Sequence, residues 1–329
     1  MAAFALLAGA CAPNAPLDTL QPAGPIARQI DSLWDIVFAA AIAVFVLVEG
    51  LIVVAVVRFR HRKGDTTDPK QTHGNTRMEI AWTIAPALLL LVLAFPTVGT
   101  IFALAREQPN SLQVKVTAQQ WWWQYEYPDE KVVTANELHI PTGRPILLEL
   151  HSGDIIHSFW VPRLGGKQDV VPGRINHMTI QADRPGEYAG TCVEYCGLSH
   201  ANMRLKVFAH TPADYERWVE DQLEDAFRPR SGLAREGETV FQEKQCVTCH
   251  TIRFDGSKAE GITGPDLTHF ASHSSFAGAI FERTDENLAE WVRDAPSRKP
   301  GSKMPSGVAT MGLTEDDIEA LVAYLQSLR

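Results

Sequence analysis

The sequence predicts a multidomain membrane protein: a two-helix transmembrane hairpin, then an all-β sandwich, then an all-α module. Three observations carry this. Two apolar runs, Leu33 to Val57 and Ile80 to Leu104, are each about 25 residues, enough to cross hydrocarbon with some tilt. From Leu112 the texture changes to short alternating runs punctuated by Gly and Pro, the period-2 signature of strands. After a C-V-T-C-H motif at 246–250, the tail L-T-E-D-D-I-E-A-L-V-A-Y-L-Q-S-L (313–328) places apolar residues at helical spacing behind an N-cap threonine, Thr314.

The chain has 329 residues, 45% of them hydrophobic, with a formal net charge of −9. That length accommodates two modest domains plus membrane segments. The acidic balance argues against nucleic acid as a partner and favours a cationic one. Residues 1–31 read as a signal- or lipoprotein-like N-terminus followed by loop. Met1 to Ala15 is apolar and small, too short to span as a helix. L-L-A-G-A-C resembles a bacterial lipoprotein box, which would make Cys11 a lipidated terminus; plain cleavage or retention is the equal alternative.

Residues 32–106 form the expected membrane hairpin. Its connection carries Arg58, Arg60, Arg62, Lys63, Lys70 and Arg77 against Asp65, Asp68 and Glu79, so the positive-inside rule puts the loop in the cytoplasm and both chain ends outside. Neither apolar run contains histidine, so a haem buried in the bilayer is not held by this chain. Glu49 lies within the first run, where an acid is expected to face a partner subunit or water. Glu79 opens the second as part of a Thr76-x-x-Glu79 capping box.

Residues 107–211 supply the strand-like runs: L-Q-V-K-V-T-A, K-V-V-T, P-I-L-L-E-L, N-H-M-T-I-Q-A and L-K-V-F-A. In Q-Q-W-W-W-Q-Y-E-Y (119–127), three consecutive tryptophans cannot share one strand face, so at least one is exposed or at an interface. Within T-C-V-E-Y-C-G-L-S-H-A-N-M (191–203), Cys192, Cys196, His200 and Met203 fall together, and His157 precedes them on what reads as a separate loop. Thiolate, imidazole and thioether suit copper. Zinc prefers a C-x2-C spacing and makes poor use of a thioether. A Cys192–Cys196 disulfide would leave His200 and Met203 without a role.

These residues, with S-G-D-I-I-H-S-F-W-V-P (152–162), resemble subunit II of the haem–copper cytochrome c oxidases. The resemblance implies a cupredoxin fold and a dinuclear copper centre. Its ligands would be His157, Cys192, the Glu194 carbonyl, Cys196, His200 and Met203. It also implies Trp121 as the point of electron input to copper. The Glu194 side chain would reach a magnesium ion at the contact with the catalytic subunit. E-x-x-W-T-I-x-P resembles the family segment whose glutamate, here Glu79, marks the entrance of a proton-uptake path.

Thr211 to Arg230 starts with a helix N-cap signal and ends in a basic, Pro-containing breaker, so 212–232 reads as one amphipathic helix followed by a linker. Then C-V-T-C-H is the pattern of covalent haem c attachment, with Cys246 and Cys249 as the thiols and His250 on the iron. With T-G-P-D-L (263–267) and K-M-P-S (303–306), residues 233–329 resemble a class I cytochrome c. That implies Met304 as second axial ligand, with Met311 as runner-up, and the Pro265 carbonyl orienting the axial imidazole. His269 and His273 read as surface residues.

The whole resembles subunit II of a caa-type oxidase. This implies an electron-input subunit that passes electrons from haem c to copper and on to a catalytic subunit I, which holds the oxygen-reducing site. The implied setting is a bacterial inner membrane, crossed twice, with both redox modules on the periplasmic side. Residues 107–232 carry 12 basic and 17 acidic side chains and residues 233–329 carry 10 and 15, so a basic, cytochrome c-like donor is expected. The alternative classes are a membrane-anchored copper and haem carrier outside any oxidase, and a zinc-binding interaction module.

Overall fold

A computed structural model describes residues 15–61, 64, 68, 71–254, 257–258, 261 and 263–329. The expectations for Cys11 and for Arg62, Lys63, Asp65 and Lys70 fall outside these residues. Residues 28–106 form one compact unit, and residues 1–27 with 107–329 form another.

In the first unit, helices α1 (Pro25–Phe59) and α2 (Thr76–Leu104) are both long and apolar enough to cross a membrane. Helix α1 begins eight residues ahead of the apolar run, because Pro25 is pre-shaped for the first helical position. The expected Thr76 box is corrected by one residue. Asn75 is the cap, its side-chain oxygen accepting from the Arg77 and Met78 N–H groups at 3.2 and 3.3 Å, while Glu79 Oε1 accepts from the Asn75 N–H at 3.1 Å. Asparagine caps as well as threonine, and the carboxylate still closes the turn. Glu49 faces an apolar groove shared with Val48, Leu89 and Leu93.

The second unit begins with a sandwich of ten strands. They are β1 (Leu112–Gln119), β2 (Trp122–Tyr127), β3 (Val132–Ala135), β4 (Glu137–Pro141), β5 (Ile146–Ser152), β6 (His157–Trp160), β7 (Lys167–Val170), β8 (Asn176–Ile180), β9 (Gly186–Cys192) and β10 (Arg204–His210). One sheet runs β3-β2-β1-β5-β8 and the other β4-β10-β9-β6-β7. Strand β1 shows how alternation makes the core: Leu112, Val114, Val116 and Ala118 are buried while the residues between them face outward. In β2 the same alternation buries Trp123, Tyr125 and Tyr127. His157 opens β6 rather than sitting on a loop, which fixes it by strand pairing.

Helix α3 (Pro212–Leu223) is capped by Thr211, which accepts from the Asp214 N–H. It stops at Leu223, where Glu224 turns extended, and residues 224–232 continue without helix. Its amphipathic face lays Trp218 on the sandwich, stacked on His139 with ring centroids 4.4 Å apart.

The helical module follows with α4 (Leu233–Glu243), α5 (Asp285–Arg293), α6 (Ala295–Arg298) and α7 (Glu315–Leu325). Thr314 and Asp317 form a reciprocal capping box that starts α7. Its apolar stripe packs on α4, with Phe241 and Tyr324 edge to face at 5.6 Å. Phe270, Phe276, Leu288, Val292, Leu321 and Leu325 complete a second core. His269 and His273, expected at the surface, are not there. His269 is buried and bonded to the Glu224 carbonyl, and His273 lies against Thr134 and Glu137 of the sandwich.

Candidate functional site

Strands β6 and β9 pair Phe159 with Cys192, which brings His157 beside the end of β9. The β9–β10 connection is closed at its base by the Cys192 N–H donating to the Met203 carbonyl at 2.9 Å. The intervening loop therefore folds back on itself, and its donor atoms meet. Cys192 Sγ lies 3.8 Å from Cys196 Sγ and 3.9 Å from His157 Nδ1. Cys196 Sγ lies 3.4 Å from His200 Nδ1 and 3.9 Å from Met203 Sδ. The Glu194 carbonyl oxygen is 3.3 Å from Cys192 Sγ. All six ligand positions implied by the resemblance thus lie in one cluster, and His157, Cys192 and Cys196 are close enough together to hold a metal ion.

Electrostatics prepares the cluster for a cation. The neighbouring Cys196 thiol, followed by His157, holds the Cys192 sulfur well below the usual thiol range, at about 4. Cys196 is in turn pushed up by the Cys192 sulfur, so metal binding would displace its proton. His157 Nε2 lies 2.9 Å from Asp154 Oδ1; a carboxylate can only accept, so this nitrogen carries the hydrogen and Nδ1 presents its lone pair to the sulfurs. Asp154 is a functional residue that sequence reasoning missed, although an acid three residues before the histidine was the available signal.

A cavity of about 440 Å³ lies between the helical module and the sandwich residues Gln120, Trp121, Trp122, Ala135 and Asn136. Cys246, Cys249 and His250 line it together with Met304 and Met311. Burial lowers the His250 pKa, keeping the imidazole neutral, and its Nδ1–H donates to the Pro265 carbonyl at 2.9 Å, which leaves Nε2 free. The two methionines differ in setting: Met311 packs into the surrounding apolar core, whereas Met304 is not part of that core.

Trp121 belongs to both places. It lines the cavity, and its indole N–H donates to the Cys196 carbonyl at 2.8 Å. The side chain is only 6% exposed. Gln120 Nε2 donates to the same carbonyl at 2.9 Å. Of the three tryptophans, Trp123 is core, Trp122 is half-buried on the cavity wall, and Trp121 is covered by the helical module. Lys299, also on that wall, is 4% exposed and held down to about 7 by burial; nothing in its local sequence marks it.

The chain is similar to known proteins along its full length. Residues 14–99 match the family described as "Cytochrome C oxidase subunit II, transmembrane domain", residues 130–209 its "periplasmic domain", and residues 234–329 "Cytochrome c". "Cytochrome c oxidase subunit 2" of Alkalihalophilus pseudofirmus is 40% identical, over 97% of this chain and 93% of that one. The protein of the same name from Bacillus subtilis is 34% identical, over 95% and 92%. Among solved structures, the periplasmic domain of subunit II of cytochrome oxidase (CoxB) of Bradyrhizobium japonicum is 30% identical, with a TM-score of 0.34, covering 36% of this chain and 96% of that one. These families imply a copper centre of the CuA type and a haem c, and the donor set at 157–203 and the cavity behind Cys246–His250 fit both. The chain belongs to the cytochrome c oxidase subunit 2 family, two-pass membrane subunits with a periplasmic domain that feed electrons to an oxygen-reducing site on another subunit.

Proposed function

We propose that this chain is subunit II of a caa-type oxidase, in which electrons pass from a donor through haem c to a dinuclear copper centre and on to the catalytic subunit. The observation that carries the reading is Trp121, a single indole that lines the cavity and bonds to the carbonyl of Cys196. When bound, the two groups supply one-electron carriers, and a His/Met-ligated haem leaves no open position for substrate.

In this reading His157 and His200 each offer Nδ1, Cys192 and Cys196 their sulfurs, Glu194 its carbonyl and Met203 its thioether. The spacings of 3.3 to 3.9 Å around the two sulfurs support that assignment. Cys246 and Cys249 anchor the haem covalently, His250 is one axial ligand and Met304 the other, supported by the exclusion of Met304 from the core. Trp121 is the point of electron input to copper. The functional units are the N-terminal segment 1–31, the anchor 32–106, the copper domain 107–211, the helix and linker 212–232 and the haem domain 233–329.

Three finer assignments belong to the same proposal. The half-buried Glu194 carboxylate helps hold magnesium at the contact with subunit I. Glu79 marks the entrance of a proton path while it closes the α2 cap. The membrane is the bacterial inner membrane, and the donor is a basic cytochrome c-like protein, drawn by the acidic excess of both modules. Metal analysis with EPR on the purified chain tests the core of the proposal. Two coppers sharing one unpaired electron and one haem are expected, whereas a single zinc at the cysteines would overturn it.

A further inference from the structure

We propose that Glu137 and Lys299 are positioning residues: two buried side chains, one from each redox module, that latch the helical module over Trp121 and close this indole to external electron donors. The inference rests on the reading above and goes beyond it, since it assigns the two modules a fixed dock.

Glu137 opens β4 and is 1% exposed. Its Oε1 accepts from the Ser274 N–H and hydroxyl at 3.0 and 2.7 Å, and from the Ser275 N–H and hydroxyl at 2.9 and 2.7 Å. Four donors converge on one carboxylate from 137 residues away in sequence. A carboxylate this deep is costly unless such bonds compensate it. Lys206 adds a bond to the Ser274 hydroxyl at 3.3 Å, and His273 lies 3.8 Å from Glu137 Oε2.

Lys299 makes the opposite connection. From the helical module its ammonium donates to the Trp121 carbonyl and to the Ala277 carbonyl, each at 2.6 Å. No carboxylate pairs with it in these contacts, so burying this amine against two carbonyls carries a desolvation cost. A lysine needed only for solubility would stay in water.

Around the two charges the modules touch through backbone. The Arg204 N–H donates to the Gly278 carbonyl at 3.0 Å, and the Ser199 hydroxyl to the Pro300 carbonyl at 2.7 Å. Glycine is required twice at this seam. At Gly278 (φ +81°) a Cβ would stand 2.5 Å from Lys299 Nζ, and at Gly301 (φ +81°) 2.5 Å from Trp121 Cη2. The seam also reaches the copper ligands' supports: Lys303 Nζ is 3.6 Å from Asp154 Oδ2, and Ser199 adjoins His200. Trp121 is therefore enclosed by residues 278, 299 and 301, and a soluble donor has no approach to it.

The test uses the full-length chain in its oxidase, with Lys299→Met, Glu137→Gln and, as a gentler third variant, Ser274→Ala with Ser275→Ala. Hydrogen–deuterium exchange reads the dock directly: residues 119–123 and 274–278 are expected to be protected in the unmodified chain and to exchange faster in each variant. Haem absorption and copper EPR are expected to stay unchanged, which separates undocking from misfolding. Internal haem-to-copper transfer after rapid photoreduction is expected to slow roughly tenfold or more, the scale on which small misplacements of reacting groups act. Unchanged exchange and unchanged transfer in all three variants, with spectra intact, would overturn the latch. Missing copper or haem signals in the unmodified chain would instead strike at the proposed function, leaving the exchange measurement to judge the dock.

Discussion

The sandwich and the helical module build their sites by opposite routes. In the sandwich, strand pairing and one backbone hydrogen bond at the base of the 193–203 loop bring six donor groups within 3.3 to 3.9 Å links. The core beneath them, with Trp123 and Phe159 edge to face at 5.3 Å, is complete in itself. In the helical module the future ligands border a space of about 440 Å³ whose walls include core residues, Phe270, Phe276, Leu288 and Leu325. One fold makes its site; the other is made whole by what fills it.

The largest expected effect tests that contrast. Replacing Cys246 and Cys249 by serine removes covalent attachment and leaves the cavity open. A space of about 440 Å³ left without its occupant is expected to cost a large share of the module's marginal stability. Residues 233–329 should then be digested by protease at levels the unmodified chain survives, with the sandwich left intact. Chelating copper should shift the sandwich's melting far less, since binding there adds only its mass-action contribution. If chelation proved the more disruptive treatment, the contrast would fail.

Next comes the orientation of His157. Asp154→Asn keeps the volume but weakens the acceptor that holds Nε2–H, and copper affinity is expected to fall about 10- to 100-fold, as loss of such a partner commonly causes. Competition with a chelator measures it, and an unchanged haem spectrum confines the effect to the sandwich. On the haem side, Met304→Ala should lower the reduction potential and change the ligand-dependent absorption, while Met311→Ala should cost stability and leave the spectrum alone. The reverse pattern would exchange their roles.

How far the sequence carried this picture follows from the range of each interaction. The Cys-to-Met loop was readable because its soft donors sit within twelve residues, and C-V-T-C-H because its spacing is chemical. His269 looked like a surface residue because its partner, the Glu224 carbonyl, lies 45 residues away, which no local pattern records. His273 looked like a surface residue for the same reason: its partners, Thr134 and Glu137, lie in another module. The Lys299–Trp121 bond spans 178 residues. Strands β6 and β7 are four residues each, too short for alternation to announce them, so the placement of His157 rested on resemblance.

The smallest effect concerns a place where neither module's cofactor reaches. His139 Nδ1 and His210 Nε2 are 2.8 Å apart, so one ring must donate and the other accept. Burial first, and then the proximity of His210 and His273, holds His139 well below the ordinary value of 6.5; burial also lowers His210. A histidine pKa lowered by folding means that the unfolded chain takes up the proton first as the solution is acidified. The pair's contribution is therefore fully present above about pH 6.5 and is lost as the pH falls from there toward the depressed folded values. Protonation would set two donors face to face and place charge against the Trp218 ring stacked on His139. His210→Gln keeps a partner for His139 and removes one titrating group, so its melting temperature should fall less steeply with acid than that of the unmodified chain. An identical slope would mean that acid acts elsewhere in the chain.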